Sequence, residues 1–252
     1  MKQATALLFS LIFLAISCSK NDDFTTDSGK SGSITRFAVF GNYMYVLNQK
    51  ELLTYSLENP DNPALVHRLV ADYGLETIII YDNTIYLGST TSLYILDIGN
   101  PAAPQILSKT DRVEIFLGGC DPVVVKDNYA YSTIKIIANV CGTVSSESAL
   151  IVYDVSDKSN PVSVSSFLLS IPNGLGYKDN YLFVCDEGSD QLVIFDITNP
   201  LSVTRTNYSV EITDPYDLIV EGNRMIVSTK TDFQIFDVSD ITAIRRTGHI
   251  PK

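Results

Sequence analysis

The chain has 252 residues, 45% of them apolar, with 14 Tyr and 11 Phe, enough to bury a core and too hydrophobic for disorder. Its formal charge of −11, with only 18 Lys and Arg, excludes a nucleic-acid surface, because phosphate binding needs a basic face.

In chain order, the first element is an export signal over residues 1–17: a single Lys, an apolar run from Ala4 to Ile16, and a small residue, Ser17, directly before Cys18. The apolar run is shorter than the roughly 18–20 residues a spanning helix needs, so a retained membrane helix is the weaker reading. Ala15-Ile16-Ser17-Cys18 resembles a bacterial lipobox, with Ala15 where Leu is usual. That resemblance implies cleavage before Cys18, its acylation, and attachment to a membrane at about 0.8 kcal/mol per buried CH₂. Residues 18–33 then read as an acylated flexible tether, polar and rich in Gly and Ser. Its start, Cys18 to Asp23, resembles the acidic surface-export tags of Bacteroidetes-type lipoproteins, which implies an outer-membrane location and surface display.

From residue 34 to 252 one pattern recurs five times: an apolar stretch, a Gly-Asn or Asp-Asn pair, a second apolar stretch, a third ending in Asp, and a turn. The turn asparagines are Asn42, Asn83, Asn128, Asn180 and Asn223, which bounds repeats at 34–72, 73–115, 116–170, 171–212 and 213–252. Pairs such as Asp82-Asn83 between β-branched and aromatic runs predict tight hairpins, since Asn, Asp and Gly tolerate positive φ. The third run ends in Asp97, Asp154, Asp196 and Asp237, with Ser56 in the first copy. An Asn-Pro turn follows in most copies and is missing in the fifth. Runs such as Leu192-Val193-Ile194-Phe195 are apolar on both faces and so need a layer on each side. Four short strands per ~41 residues, stacked this way, select an all-β fold, a five-bladed β-propeller.

The third run resembles the core of the LVIVD-repeat family over Phe37 to Ile250. What that implies is a propeller with no established general activity. Five complete repeats leave no spare strand to close the ring, so closure by side-chain packing, a shortened copy of a larger propeller, and self-pairing all stay open.

With strands a to d running outward from the axis, tight a–b and c–d turns fall at one end, and d–a and b–c loops at the other. Every irregularity falls at the second end. Repeat three carries a b–c insertion around Ala138 to Glu147, and repeat four an acidic loop at Asp186, Glu187 and Asp190 with oxygens that could suit Ca²⁺. Cys120 and Cys141 lie on this end of one blade, which predicts a disulfide closing about 20 residues and contributing roughly 3 kcal/mol. Spacing unlike Cys-x-x-Cys, with only two histidines, His67 and His249, disfavours a redox or metal role. Cys185 reads as a buried thiol.

Seven residues before the turn asparagines stand Thr35, Glu76, Asp121, Asn173 and Tyr216, with Arg36 and Asp217 one place later. Glu76, Asp121, Asn173, Tyr216 and Asp217 are therefore the candidate ligand face, a polar ring at the channel mouth. No nucleophile elbow, metal-binding His-Glu-x-x-His or phosphate loop occurs, which leaves no catalytic residue, metal ligand or cofactor to assign. The expected function is a non-enzymatic cell-envelope binding or scaffold module for a protein or glycan. The alternative is a carboxylate-dependent glycoside hydrolase or lyase at the channel mouth.

Overall fold

A computed structural model describes residues 32–71, 74–90, 92–111, 122–135 and 148–252. Among the described residues, twenty strands form five four-stranded antiparallel sheets, each a simple meander. The sheets are, in chain order, β1 (Phe37–Phe40) to β4 (Ala64–Val70), with β2 Tyr43–Asn48 and β3 Glu51–Ser56; β5 (Leu75–Tyr81), β6 (Thr84–Ser89), β7 (Ser92–Asp97) and β8 (Gln105–Asp111); β9 (Val123–Lys126), β10 (Tyr129–Ile134), β11 (Ala149–Asp154) and β12 (Val162–Leu168); β13 (Pro172–Lys178), β14 (Tyr181–Asp186), β15 (Gln191–Asp196) and β16 (Thr204–Glu211); β17 (Pro215–Glu221), β18 (Arg224–Thr229), β19 (Asp232–Asp237) and β20 (Arg245–Pro251). Each sheet is one sequence repeat, and the first strands of successive sheets neighbour one another. This is the propeller arrangement expected from the repeat, with blades 1 to 5 in chain order. No helix among the described residues is long and apolar enough to cross a membrane.

The repeat motif acquires a physical meaning at the tight-turn end. In all five a–b turns the positive φ belongs to the first residue, Gly41, Asp82, Asp127, Asp179 or Gly222. The asparagine that follows acts through its main chain. Its carbonyl accepts the N–H of the residue just past strand c: Leu57, Ile98, Val155, Ile197 and Val238 donate to Asn42, Asn83, Asn128, Asn180 and Asn223. The strand-end carboxylates of Asp154, Asp196 and Asp237 accept the N–H two residues on, from Ser156, Thr198 and Ser239, at 2.8–3.0 Å. The hydroxyls of Ser156, Thr198 and Ser239 first, then these N–H bonds, hold all three carboxyls below the ordinary range, to about 2 for Asp237, where Arg245 adds to the effect. Ser56, the departure in repeat one, does the same with its hydroxyl, accepting from Glu58. In repeat five Asp240 replaces the missing Asn of Asn-Pro and accepts from Thr242, as Asn199 does from Leu201 in repeat four. The turns are built by short side-chain oxygens bonded to nearby backbone.

Between blades the packing is dense. Tyr86, Leu93 and Ile95 of blade 2 meet Val123, Ala130 and Tyr153 of blade 3, and Phe183, Leu192 and Ile194 of blade 4 meet Leu218, Met225 and Phe236 of blade 5. Each large side chain so buried contributes roughly 1.5–3 kcal/mol. The outer strands are mostly exposed, as their mixed composition requires.

Candidate functional site

The loop end of the axis is built on a repeated backbone irregularity. Strand pairing slips between Leu75 and Thr77, between Pro172 and Leu175, and between Pro215 and Asp217. Glu76, Asn173 and Tyr216 occupy those slips, so the positions counted back from the turn asparagines are β-bulges. A bulge re-aims its side chain out of the strand alternation, which is how the innermost strands of three blades present polar groups at the hub. Asp121, the corresponding residue of repeat three, lies outside the described residues, as do Cys18, Cys120 and Cys141.

The bulge residues share a location but not a surroundings. Asn173 is buried and bridges three blades. Its amide donates to Glu187 Oε2 at 2.9 Å and to the Pro215 carbonyl at 3.2 Å, while its own oxygen accepts from Lys135 Nζ at 3.1 Å. Thr133 Oγ1 donates to the Asn173 carbonyl at 2.7 Å. Glu187 also pairs with Lys135 at 3.2 Å and Lys230 at 3.1 Å, and Lys230 continues to Asp214 at 2.7 Å. The Asn173 amide first, then the two ammonium groups, hold the Glu187 carboxyl down to about 2 against the opposing effect of burial. A polar network thus runs across blades 3, 4 and 5. Lys135, Lys230 and Asp214, absent from the sequence-predicted ring, belong to it. They sit in b–c and d–a loops where repeats differ in length, so counting from the turn Asn does not reach them.

Asp217 is committed elsewhere. Ser33 Oγ donates to its Oδ1 at 3.0 Å and the Ile34 N–H to its Oδ2 at 3.3 Å, while Ser33 Oγ accepts the Leu175 N–H at 2.8 Å. Burial pushes the Asp217 carboxyl above its ordinary value, opposed by the N–H of Leu218, the Ser33 hydroxyl and the Ile34 N–H. Ser33, assigned to the flexible tether by its composition, is instead buried and latches the start of blade 1 to blades 4 and 5. The carbonyl of Thr35 extends the latch to blade 2 by accepting the Ile78 N–H at 2.9 Å.

The remaining positions are more open. Tyr216 is exposed. Arg36 donates to the Leu75 carbonyl at 3.4 Å and pairs with no carboxylate among the described residues. Glu76 keeps one buried carboxylate oxygen that accepts no hydrogen bond among the described residues. The acidic loop of blade 4 does not converge: Asp186 accepts from the Ile171 N–H at 2.7 Å and from Ser189, and Asp190 accepts the Asp214 N–H at 2.8 Å. Among the described residues no group of three His, Cys, Asp or Glu is placed to hold a metal. Cys185 is fully buried, and burial raises its thiol well above the ordinary range.

No curated protein matches the chain. A protein from Lactobacillus plantarum shares the fold with a TM-score of 0.62 at 13% identity, covering 83% of this chain and 68% of that one. The periplasmic gluconolactonase of Pseudomonas aeruginosa gives 0.57 at 14%, over 76% of this chain and 60% of its own. A nidogen/laminin complex gives 0.55 at 15%, over 85% and 75%. At these identities the likeness concerns the propeller fold alone. The LVIVD repeat matches residues 31–69, 76–111, 144–168 and 175–206, just over half of the sequence. These matched segments fall in four of the five blades, and with the same turn chemistry recurring in every blade the chain belongs to the LVIVD-repeat family.

Proposed function

We propose that this protein is a lipid-anchored envelope module that binds a protein or glycan partner through the loop end of its propeller and performs no chemistry on it. The observation that carries this reading is the network centred on Asn173 and Glu187, which fixes polar side chains from three blades at the hub. Such a charged array, with Lys230 its most exposed member, suits recognition. It suits acid–base catalysis poorly. A general acid needs a carboxyl poised near neutrality, whereas that of Glu187 is held at about 2 and the oxygens of Asp217 are bonded to Ser33 and Ile34. Acylation at Cys18, outer-membrane placement and a Cys120 to Cys141 disulfide belong to the same reading, the last because an exported blade insertion of this length gains from a covalent tie.

The test pairs a glycan array and envelope-protein capture with assays on chromogenic glycosides and lactones. Saturable binding that Lys135→Ala with Lys230→Ala weakens at least tenfold, without turnover, is the expected result. Turnover lost in Glu76→Gln would reverse the ranking in favour of a carboxylate-dependent hydrolase or lyase. Cys18→Ala should move the protein from the membrane to the soluble fraction, and retention in the membrane would refute the anchor.

A further inference from the structure

Four of the five blade junctions are sealed. The faces that blades 1 to 4 turn toward the next blade are built on equivalent pairs, Tyr45 with Leu52, Tyr86 with Leu93, Tyr131 with Leu150, and Phe183 with Leu192, all 0–1% exposed. The equivalent pair in blade 5, Ile226 with Phe233, is 36% exposed at both positions. The opposite face follows the same rule. Leu218, Met225, Val227 and Phe236 of blade 5 pack on blade 4 and are at most 3% exposed, but their equivalents in blade 1 are Phe37, Met44, Val46 and Tyr55. Phe37 is 57% exposed, its neighbour Val39 48%, and the other three are half-buried.

Among the described residues, the seam between blades 5 and 1 is therefore held at the hub by the Ser33 to Asp217 latch and left open farther out. Ile34, Tyr216, Ile219, Ile226 and Phe233 line a mostly apolar pocket of about 280 Å³ there. The Lys252 ammonium, 4.8 Å from the Phe233 ring centre, covers only one corner. Closing the seam within one copy would loosen four junctions already packed at core density, which is costly.

We infer that this seam is the docking surface for a second copy of the chain, the free face of blade 5 in one copy covering the free face of blade 1 in the other. The sequence itself names the partner. Each free face is one half of a junction that this chain makes four times, and the complement of each half is the other. Under two-fold symmetry both pairs are covered at once and no apolar face is left over. An unrelated partner would have to match two different faces. This pairing is independent of what the hub binds.

The test uses two differently tagged full-length chains produced together, one carrying Ser228→Cys on the blade 5 face and the other Val46→Cys on the blade 1 face. Oxidation should give a disulfide-linked product of twice the chain mass that carries both tags and is at least tenfold more abundant than from two Val46→Cys chains. Sedimentation of the unmodified protein should give a dimer, and Phe233→Asp, an exposed change that leaves the β-sheet circular dichroism intact, should convert it to monomer. A monomeric unmodified protein would overturn the proposal. So would a Ser228→Cys, Val46→Cys double variant that cross-links only within one chain, because that would mean the ring closes on itself.

Discussion

Glu187 illustrates how a single residue can be read by type but not by role. Its position in a longer loop of blade 4 marks it as acidic and accessible, which suggested a share in binding a cation. Its partners are Asn173 on β13 and Lys135 and Lys230 in two b–c loops of unequal length, and no local spacing connects them to Glu187. The consequence is measurable. A carboxyl held near 2 when folded and near its ordinary 4.5 when unfolded stabilises the fold fully above about pH 4.5, and that stability is lost as pH falls toward 2. Because Glu187 is half-buried and its partner Lys230 mostly exposed, solvent screens the contribution to about 1 kcal/mol or less. Glu187→Gln should lower the unfolding free energy at pH 7, read from urea curves, by that much, and the difference should vanish by about pH 2. A constant difference across this range would assign the loss to packing.

Strands and hairpins were the most legible elements, since β-branched runs and Asp-Asn or Gly-Asn pairs act locally. What the turn asparagine does was not legible, because its contribution is a main-chain carbonyl that any residue possesses. The positive φ belongs to the residue before it, and a Cβ added at Gly41 or Gly222 meets nothing within 4 Å. Substitution there consequently tests conformation without crowding. Gly222→Ala should cost about 1 kcal/mol, and Asp82→Gly, at φ of 55°, should gain about 0.5 kcal/mol. Both should appear as shifts in the urea midpoint with no change in slope. Counting back from the turn asparagines singles out Glu76, Asn173 and Tyr216, but the bulges there show only as slips of strand register, which no residue type announces.

At the level of the whole molecule, blade number and order followed from the period of the sequence, whereas the state of the seam did not. Apolar residues such as Phe37 and Phe233 look the same in sequence whether a neighbouring blade covers them or not. Nor did composition reveal that Ser33 is structural, because a short polar residue reads as linker until its partner, 184 positions away, is known. Asp217→Ala removes the acceptor for both Ser33 and Ile34 and should cost about 1–3 kcal/mol. Limited proteolysis of this variant should cut ahead of Phe37 faster than in the unmodified protein, while equal cutting would show that the latch bears no load.

The latch also fixes where the body hangs. Residues 32–35 enter at the hub of the loop end, so with Cys18 acylated as proposed the stalk joins the propeller at the centre of its recognition surface, as a handle joins a parasol. By chain length alone, the 13 residues from Ser19 to Ser31 reach at most about 45 Å. The tight-turn end then looks away from the lipid, and whatever the hub engages must fit into a gap of that height beneath the canopy. A partner on the same membrane satisfies this geometry far more readily than one arriving from outside.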